Sequence, residues 1–229
     1  MEEGLSGPVE AISPLERQRE WVRYYSPKRI YEQLLQVHLL EDLPITRVLE
    51  IGPYLGLVTA MLENADYEVT TMDRQPPMFR RPQCPHLEMD LTAIEPEKLR
   101  GFDCIMCCAT LEHIEWPQAK AALRSFRESG SPYVLISVPF QENEIFYQLY
   151  ANRFTFEHRF ALKKLRFLKE FSVDPDPYGH KWEVGYKGRS LKTYETMIRD
   201  SGFKILRRRF SYPSFAVFHM LEPASQKTG

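Results

Sequence analysis

The sequence predicts an α/β fold with a doubly wound, mostly parallel seven-stranded sheet, a C-terminal antiparallel strand pair, N-terminal helices and a helical lid insertion. Short, continuously apolar runs alternate with helical stretches, as is typical of parallel strands covered by helices on both faces. Two further strand-like runs near the C-terminus follow each other without a helix between them, so we expect them to pair antiparallel. These patterns favour a doubly wound sheet.

The chain is predicted to be one domain, residues 1–229, that begins with a helical segment over residues 1–43. Two Ser-Pro pairs mark helix starts in this segment. Ser13 is followed by Glu16 at the spacing of a capping box, with a proline in the first turn. Ser26 begins a second stretch whose apolar residues recur at helical spacing.

A core segment, residues 44–140, carries five strand-like runs and two helices. The runs are RVLEIG (47–52), YEVTTMD (67–73), HLEMDL (86–91), FDCIMCCA (102–109) and YVLISVPF (133–140). The helices are LGLVTAMLENA (55–65) and PQAKAALRSFRESG (117–130). Residues 190–222 add a C-terminal helix and the strands FKILRRRFS (203–211) and FAVFHML (215–221).

The alternation of strands and helices is interrupted over residues 141–189. We predict this segment to be a helical lid inserted over the sheet. The segment is rich in aromatic residues and contains a basic stretch. Its cations are Arg159, Lys163, Lys164, Arg166 and Lys169. They would either recognise a phosphate or carboxylate on a ligand or form an ordinary solvated face.

Composition narrows the function classes. The 229 residues carry a net charge of −1, with 43% hydrophobic and 27% charged residues, which is typical of a soluble globular protein. The chain has no overall basic bias, so nucleic-acid binding is disfavoured. No signal region and no apolar run of membrane-spanning length is present, so we expect a cytoplasmic protein, monomeric or homodimeric. The pair Cys104 and Cys107 lies in an apolar run without a second pair, which indicates core residues rather than a zinc site.

The stretch VLEIGPYLG (48–56) suggests a ligand site, because ligands of open parallel sheets bind beyond the carboxyl ends of the strands. Gly52 and Gly56 would let the backbone approach a ligand closely. A dinucleotide fingerprint needs three glycines, but its second and third positions are Tyr54 and Leu57 here. Glu50 at the strand end would instead stabilise a positively charged ligand.

Two more acids lie at the ends of the next two strands. Asp73 stands where a carboxylate holds a ribose diol, and Asp90 could accept a hydrogen bond from an exocyclic amine. With Glu50, these acids match a ligand that carries an ammonium, a sulfonium, a ribose and an adenine. That ligand is S-adenosylmethionine.

On these residues the chain resembles the class I S-adenosylmethionine-dependent methyltransferases of the small-molecule type. Residues 50–56 resemble the family's E/D-x-G-x-G-x-G signature, with Tyr54 in place of the middle glycine. The resemblance covers residues 45–140 and, in outline, 190–221, and it implies a Rossmann-like methyltransferase fold with residues 44–140 as the cofactor-binding core. The implied cofactor-binding residues are Glu50, Gly52, Pro53, Tyr54, Gly56, Asp73, Arg74, Asp90, Leu91 and Cys108.

Methyl transfer requires an acceptor held in line with the S–CH₃ bond, and a general base where the acceptor is a hydroxyl or a protonated amine. His113, in the LEH stretch after the fourth strand, and His180 are candidate bases, and Glu183 is a further catalytic candidate. Each could equally pack or cap locally. Glu112 is expected to be solvated or to brace its loop, and no metal is expected.

The expected acceptor is an O or N atom of a small molecule or biosynthetic intermediate, and the basic stretch would suit an anionic one. Two aromatic sets could border the site or simply pack in the core: Trp182 with Tyr186, and Trp21, Tyr24 and Tyr25. Alternatives are a catalytically inactive S-adenosylmethionine-binding module or partner subunit, an NAD-linked oxidoreductase and, with less support, a nucleic-acid or protein methyltransferase.

Overall fold

The structure is a computed structural model that describes residues 13–76, 84–142, 144–163, 169–173, 179–211 and 216–225. The helices are α1 (Pro14–Tyr24), α2 (Pro27–His38), α3 (Leu57–Asn64), α4 (Trp116–Glu128) and α5 (Leu191–Asp200). The strands are β1 (Arg47–Ile51), β2 (Glu68–Asp73), β3 (His86–Glu88), β4 (Cys104–Cys108), β5 (Tyr133–Pro139), β6 (Glu144–Ala151), β7 (Phe156–Lys163), β8 (Phe203–Phe210) and β9 (Ala216–Pro223). Short 3₁₀ turns cover Pro96–Leu99 and Leu111–His113.

Seven strands form one sheet in the order β3-β2-β1-β4-β5-β9-β8. The pairs among β1 to β5 are parallel, whereas β9 runs antiparallel to both β5 and β8. The predicted mostly parallel seven-stranded sheet with an antiparallel C-terminal pair is therefore confirmed. The strand order reverses between β1 and β4, which is where open α/β sheets bind their ligands.

The central strands are buried on both faces, and alternate residues enter two separate cores. Leu49 and Ile105 pack on one side of the sheet, whereas Val48 and Met106 pack on the other. This two-sided burial explains why β1, β4 and β5 are continuously apolar in the sequence. Cys104 and Cys107 are fully buried free thiols, which confirms their prediction as core residues.

The helix starts follow the capping signals. At α1, Ser13 and Glu16 form the predicted capping box, and Ser26 caps α2 in the same way with its hydroxyl. Ser190 caps α5, whose inner face buries Tyr194 and Ile198. None of the helices in the described ranges combines the length and the apolar character that crossing a bilayer requires.

The prediction of a helical lid over residues 141–189 is wrong for most of the residues that the structure describes in this segment. Residues 144–163 form a β-hairpin, β6 and β7, whose eight paired positions make a separate two-stranded sheet. The turn is stabilised by Asn152, whose Oδ1 accepts hydrogen bonds from the backbone N–H groups of Phe154 and Thr155. Aromatic residues favour strands over helices, which accounts for the difference. Of the basic stretch, Lys164 and Arg166 lie outside the described residues.

The hairpin is largely exposed. Its exposed large side chains are Ile145, Tyr147, Leu149, Tyr150, Phe154, Phe156, Phe160 and Leu162. Arg159 is exposed on β7, opposite Gln148. In the described residues 144–163 the predicted basic helix face is therefore replaced by a strand, and Arg159 remains available to an anionic group.

Candidate functional site

The loop between β1 and α3 takes a left-handed backbone at every second residue. The φ angles are 72° at Gly52, 48° at Tyr54 and 75° at Gly56. Gly52 donates its N–H to the Met72 carbonyl at 2.9 Å, which fixes the loop to β2. A Cβ at Gly52 would lie 2.7 Å from the Thr110 hydroxyl, so only glycine fits at the first position.

Tyr54 adopts the conformation that a glycine would take without strain. A left-handed residue other than glycine costs about 1–2 kcal/mol. The Tyr54 ring packs 4.6 Å from the Tyr24 ring, centroid to centroid, and its hydroxyl donates to Glu20 Oε1 at 2.9 Å. These contacts offset the strain and attach α1 to the loop. The N-terminal helices thus cover the loop, with Tyr25 buried, Pro53 buried and Trp21 exposed on the outside.

Glu50 is buried at the end of β1 with 5% of its surface exposed. The Thr59 hydroxyl donates to its Oε2 at 2.6 Å, tying the strand to α3. Burial raises the pKa of Glu50 to about 7, and the Thr59 hydrogen bond opposes the shift. No cation among the described residues forms an ion pair with this carboxylate.

Asp73 and Asp90 follow β2 and β3 at the same edge of the sheet as the loop after β1. The parallel register that pairs Ile51 with Met72 brings Gly52 opposite Asp73, and the Met89 N–H donates to the Asp73 carbonyl at 3.0 Å. Asp73 is half-buried, and among the described residues its carboxylate accepts one long bond, 3.3 Å, from the Gln75 N–H to Oδ1. This carboxylate can therefore receive further donors from a ligand.

Asp90 lies two residues beyond β3 and is exposed. Its Oδ1 accepts hydrogen bonds of 2.7 Å from both the backbone N–H and the hydroxyl of Thr92, and these bonds lower its pKa. One carboxylate oxygen is thus engaged in its own turn, and within the described ranges no hydrogen bond to the other oxygen is seen. The neighbouring predicted contacts, Arg74 and Leu91, are exposed and half-buried respectively.

The end of β4 leads directly into the candidate catalytic residues. Cys108 is half-buried at the strand end, and Thr110 donates to its carbonyl at 2.9 Å. The 3₁₀ turn that follows exposes His113 and buries Glu112, which is 1% exposed. Glu112 is therefore not solvated, and burial raises its pKa to about 7. Its Oε2 has no hydrogen-bond partner among the residues that the structure describes.

His180 and Glu183 form a hydrogen-bonded pair at this edge. His180 Nδ1 lies 3.0 Å from Glu183 Oε1, and Gln141 Nε2 donates to the other oxygen, Glu183 Oε2, at 3.0 Å. An N–H at Nδ1 donating to the carboxylate leaves Nε2 as the nitrogen that can accept a proton or bind an ion. The His113 and His180 rings meet edge to face at 5.1 Å between centroids.

Backbone contacts join the two histidine-bearing segments. Lys181 donates its N–H to the Glu112 carbonyl at 2.7 Å, and the Trp182 indole donates to the Ile114 carbonyl at 2.9 Å. Trp182 and Tyr186 are buried, and Trp182 packs 4.8 Å from Trp116, so both belong to the core rather than to a wall of the site.

The segment is also joined to the end of β5. Phe140 bridges Val184 in parallel, and the Gln141 N–H donates to the Val184 carbonyl at 2.8 Å. The predicted catalytic residues are thus brought together at the same edge as the glycine loop. No local pattern in the sequence indicates Gln141, Thr59 or Thr110, because their hydrogen-bond partners lie nine to 59 residues away along the chain.

Gly185 is the residue that allows this junction, and its substitution is a testable prediction. Its φ is 105°, and a side chain would collide with the Gln141 carbonyl. Gly188 has a similar φ of 73° with open space around it. We expect Gly185→Ala to lower the free energy of unfolding by about 2 kcal/mol more than Gly188→Ala, in line with steric overpacking. Urea unfolding of both variants measures this difference, and equal losses would contradict the clash.

Comparisons with known proteins agree on the fold. No protein-family model and no curated protein matches this sequence. The structure is similar to the bacterial CtHen1-C methyltransferase domain, with a TM-score of 0.58 and 13% identity over 86% of this chain and 100% of that one. It is also similar to the glycopeptide N-methyltransferase MtfA complexed with S-adenosyl-L-homocysteine, with a TM-score of 0.57 and 14% identity over 95% and 100% of the two chains.

A third similar structure is 1,6-didemethyltoxoflavin-N1-methyltransferase of Burkholderia thailandensis, with a TM-score of 0.55 and 14% identity over 91% of this chain and 83% of that one. Its structure contains 1,6-didemethyltoxoflavin and S-adenosylhomocysteine. At sequence identities of 13–14%, these similarities show a shared fold and not a shared substrate. The chain has the Rossmann-like fold of S-adenosylmethionine-dependent methyltransferases.

Proposed function

We propose that this protein is an S-adenosylmethionine-dependent methyltransferase that acts on an oxygen or nitrogen atom of a small molecule. The observation that carries the proposal is the alignment of Gly52, Asp73 and the backbone of Met89 at one edge of the sheet. Gly52 would let the backbone approach the ligand closely, and the Asp73 carboxylate could accept hydrogen bonds from the ribose. The end of β3 would then lie beside the adenine. Similar proteins were crystallised with S-adenosylhomocysteine, which supports the same ligand here.

The residues divide into two groups by location. Those at the ends of β1, β2 and β3 are proposed to bind the cofactor; they are Glu50, Gly52, Pro53, Tyr54, Gly56, Asp73, Arg74, Asp90 and Leu91. Cys108, at the end of β4, is also proposed to bind the cofactor. His113, His180 and Glu183 are proposed to act on the methyl acceptor, which would be a small molecule that could carry an anionic group.

In the proposed reaction, the acceptor's lone pair attacks the methyl carbon as the bond from that carbon to sulfur breaks. Sulfur retains the electron pair, so the sulfonium becomes the neutral thioether S-adenosylhomocysteine. A hydroxyl acceptor must also lose a proton, and His180 Nε2 can take it while Glu183 stabilises the resulting imidazolium. Gln141 keeps the Glu183 carboxylate in place.

Binding of S-adenosylhomocysteine to the wild-type chain, measured by calorimetry, is the first test. A one-to-one complex in the micromolar range supports the proposal, and absence of binding contradicts it. A screen of acceptors for release of S-adenosylhomocysteine then separates an enzyme from a module that only binds.

His180→Ala is expected to lower turnover about tenfold or more while leaving affinity for S-adenosylhomocysteine unchanged, because general bases act on the chemical step. His38→Ala, on the exposed end of α2, is the matched control and should behave as wild type. Turnover with the acceptor found in the screen gives the comparison. Normal turnover of His180→Ala would remove this residue from the mechanism.

A further inference from the structure

Three potential metal ligands converge beside the proposed methyl-transfer site. One ligand atom from each of Glu112, His113 and His180 lies within 4.8 Å of the other two. Ligand atoms at about 2.1 Å from one tetrahedral ion are about 3.4 Å apart, so side-chain movements of about 1–1.5 Å would close the set. A side chain at Gly179 would lie 4.0 Å from His113 Nδ1, which shows how closely the two histidine segments approach.

The buried carboxylate supplies a second, independent observation. Glu112 is 1% exposed, and its Oε2 has no hydrogen-bond partner in the described structure. An unsatisfied buried carboxylate oxygen is costly, and a bound cation would remove that cost. One ligand atom of His180 lies within 4.8 Å of one of Glu112, so the two side chains face the same point.

The surroundings of His180 also match those of a metal ligand. Histidines that bind metals usually donate their other ring N–H to a carboxylate, which fixes the tautomer and the ring orientation. His180 Nδ1 has such a partner in Glu183 at 3.0 Å, and Gln141 holds Glu183 from the far side. Nε2 would then be the ligand atom.

We propose that Glu112, His113 and His180 bind one divalent first-row transition metal ion, with Glu183 as the positioning residue for His180. Two imidazoles and one carboxylate suit zinc, iron, cobalt or manganese better than magnesium or calcium, which prefer all-oxygen sites. This replaces the expectation that no metal is bound. The ion site stands on its own geometry and does not depend on methyl transfer.

The position of the ion site suggests that the ion binds the methyl acceptor, an inference that rests on the proposed function. Thr110, two residues before Glu112, contacts Gly52 of the glycine loop. Three protein ligands leave coordination positions open for oxygen atoms of an acceptor. An acceptor with a hydroxyl and a neighbouring oxygen would fit such a centre. In the ion-bound protein this role would take the place of the general-base role proposed above, because the Nε2 lone pair of His180 would bind the ion and orient the acceptor through it.

Metal titration of the untagged full-length chain, stripped with EDTA and desalted, tests the site. We expect calorimetry with Zn²⁺ or Co²⁺ to give one ion per chain with micromolar or tighter affinity, and Co²⁺ to develop visible absorption bands. His113→Ala and Glu183→Gln should each weaken binding about tenfold or more. His38→Ala should bind as wild type. Absence of the cobalt bands, or equal binding by wild type and His113→Ala, would overturn the proposal.

Two readouts keep this inference distinct from the proposed function. His113 is exposed, so its substitution is expected to leave the fold intact, and circular dichroism checks this. S-adenosylhomocysteine binding is measured in parallel with EDTA present. If that nucleoside binds and no metal does, only the metal site is overturned. If the metal binds and the nucleoside does not, the metal site stands and the methyltransferase proposal falls.

Discussion

Asp73→Ala is expected to lower the affinity for S-adenosylhomocysteine about 100-fold or more, because hydrogen bonds to a charged group contribute about 1.5–3 kcal/mol each and a ribose diol can form two. The carboxylate is half-buried at the end of β2, opposite Gly52, and the described part of the chain gives it one long hydrogen bond. Calorimetric titration of wild type and variant measures the loss directly.

Glu68→Ala is the matched control, since Glu68 is exposed at the opposite end of the same strand. It should bind as wild type, which separates the loss of a ligand contact from damage to β2. Asp73→Asn, which keeps one acceptor oxygen, should fall between the two. If Asp73→Ala binds within about threefold of wild type, a margin of about 0.7 kcal/mol, the ribose is not held at this strand end.

The sheet could be predicted from the sequence because burial on both faces leaves a strong signal. Strand β4 has no polar residue among its five, and the pairing of the last two strands follows from the absence of a helix between them. The hairpin β6–β7 was not predictable in the same way. Its apolar side chains lie on both faces, so neither a strand period nor a helix period stands out, and its turn lacks an Asn-Gly or Asp-Gly pair.

The cofactor side of the site was more predictable than the acceptor side. Gly52 and Asp73 each occupy the end of a strand, and the parallel register brings such ends together wherever the strands are adjacent. Glu112 was predicted to be solvated or to brace its loop, whereas the 3₁₀ turn directs it inward. Its approach to His180, 68 residues later, depends on hydrogen bonds from Lys181 and Trp182 that no local pattern reveals.

Glu50→Gln is expected to stabilise the free protein by about 3 kcal/mol above pH 7 and to have almost no effect below about pH 4.5. Burial raises the pKa of Glu50 from 4.5 to about 7 in the folded chain. Between these values the folded chain binds more protons than the unfolded chain, so stability falls as pH rises and stays lower above pH 7. An amide carries no charge to desolvate, and its oxygen can still accept the Thr59 hydrogen bond.

Urea unfolding of wild type and Glu50→Gln across pH 4.5 to 8 measures the difference, and Glu68→Gln, which alters an exposed acid, should show no such trend. The same variant separates two roles for this carboxylate. A cationic cofactor near Glu50 would favour the ionised form, so Glu50→Gln should bind S-adenosylmethionine more weakly while it unfolds less readily. A buried charge retained at such a cost to stability is expected where the charge serves binding. If the variant is more stable and binds the cofactor as tightly as wild type, Glu50 acts only on the β1–α3 junction, and the positive charge of the ligand is stabilised elsewhere.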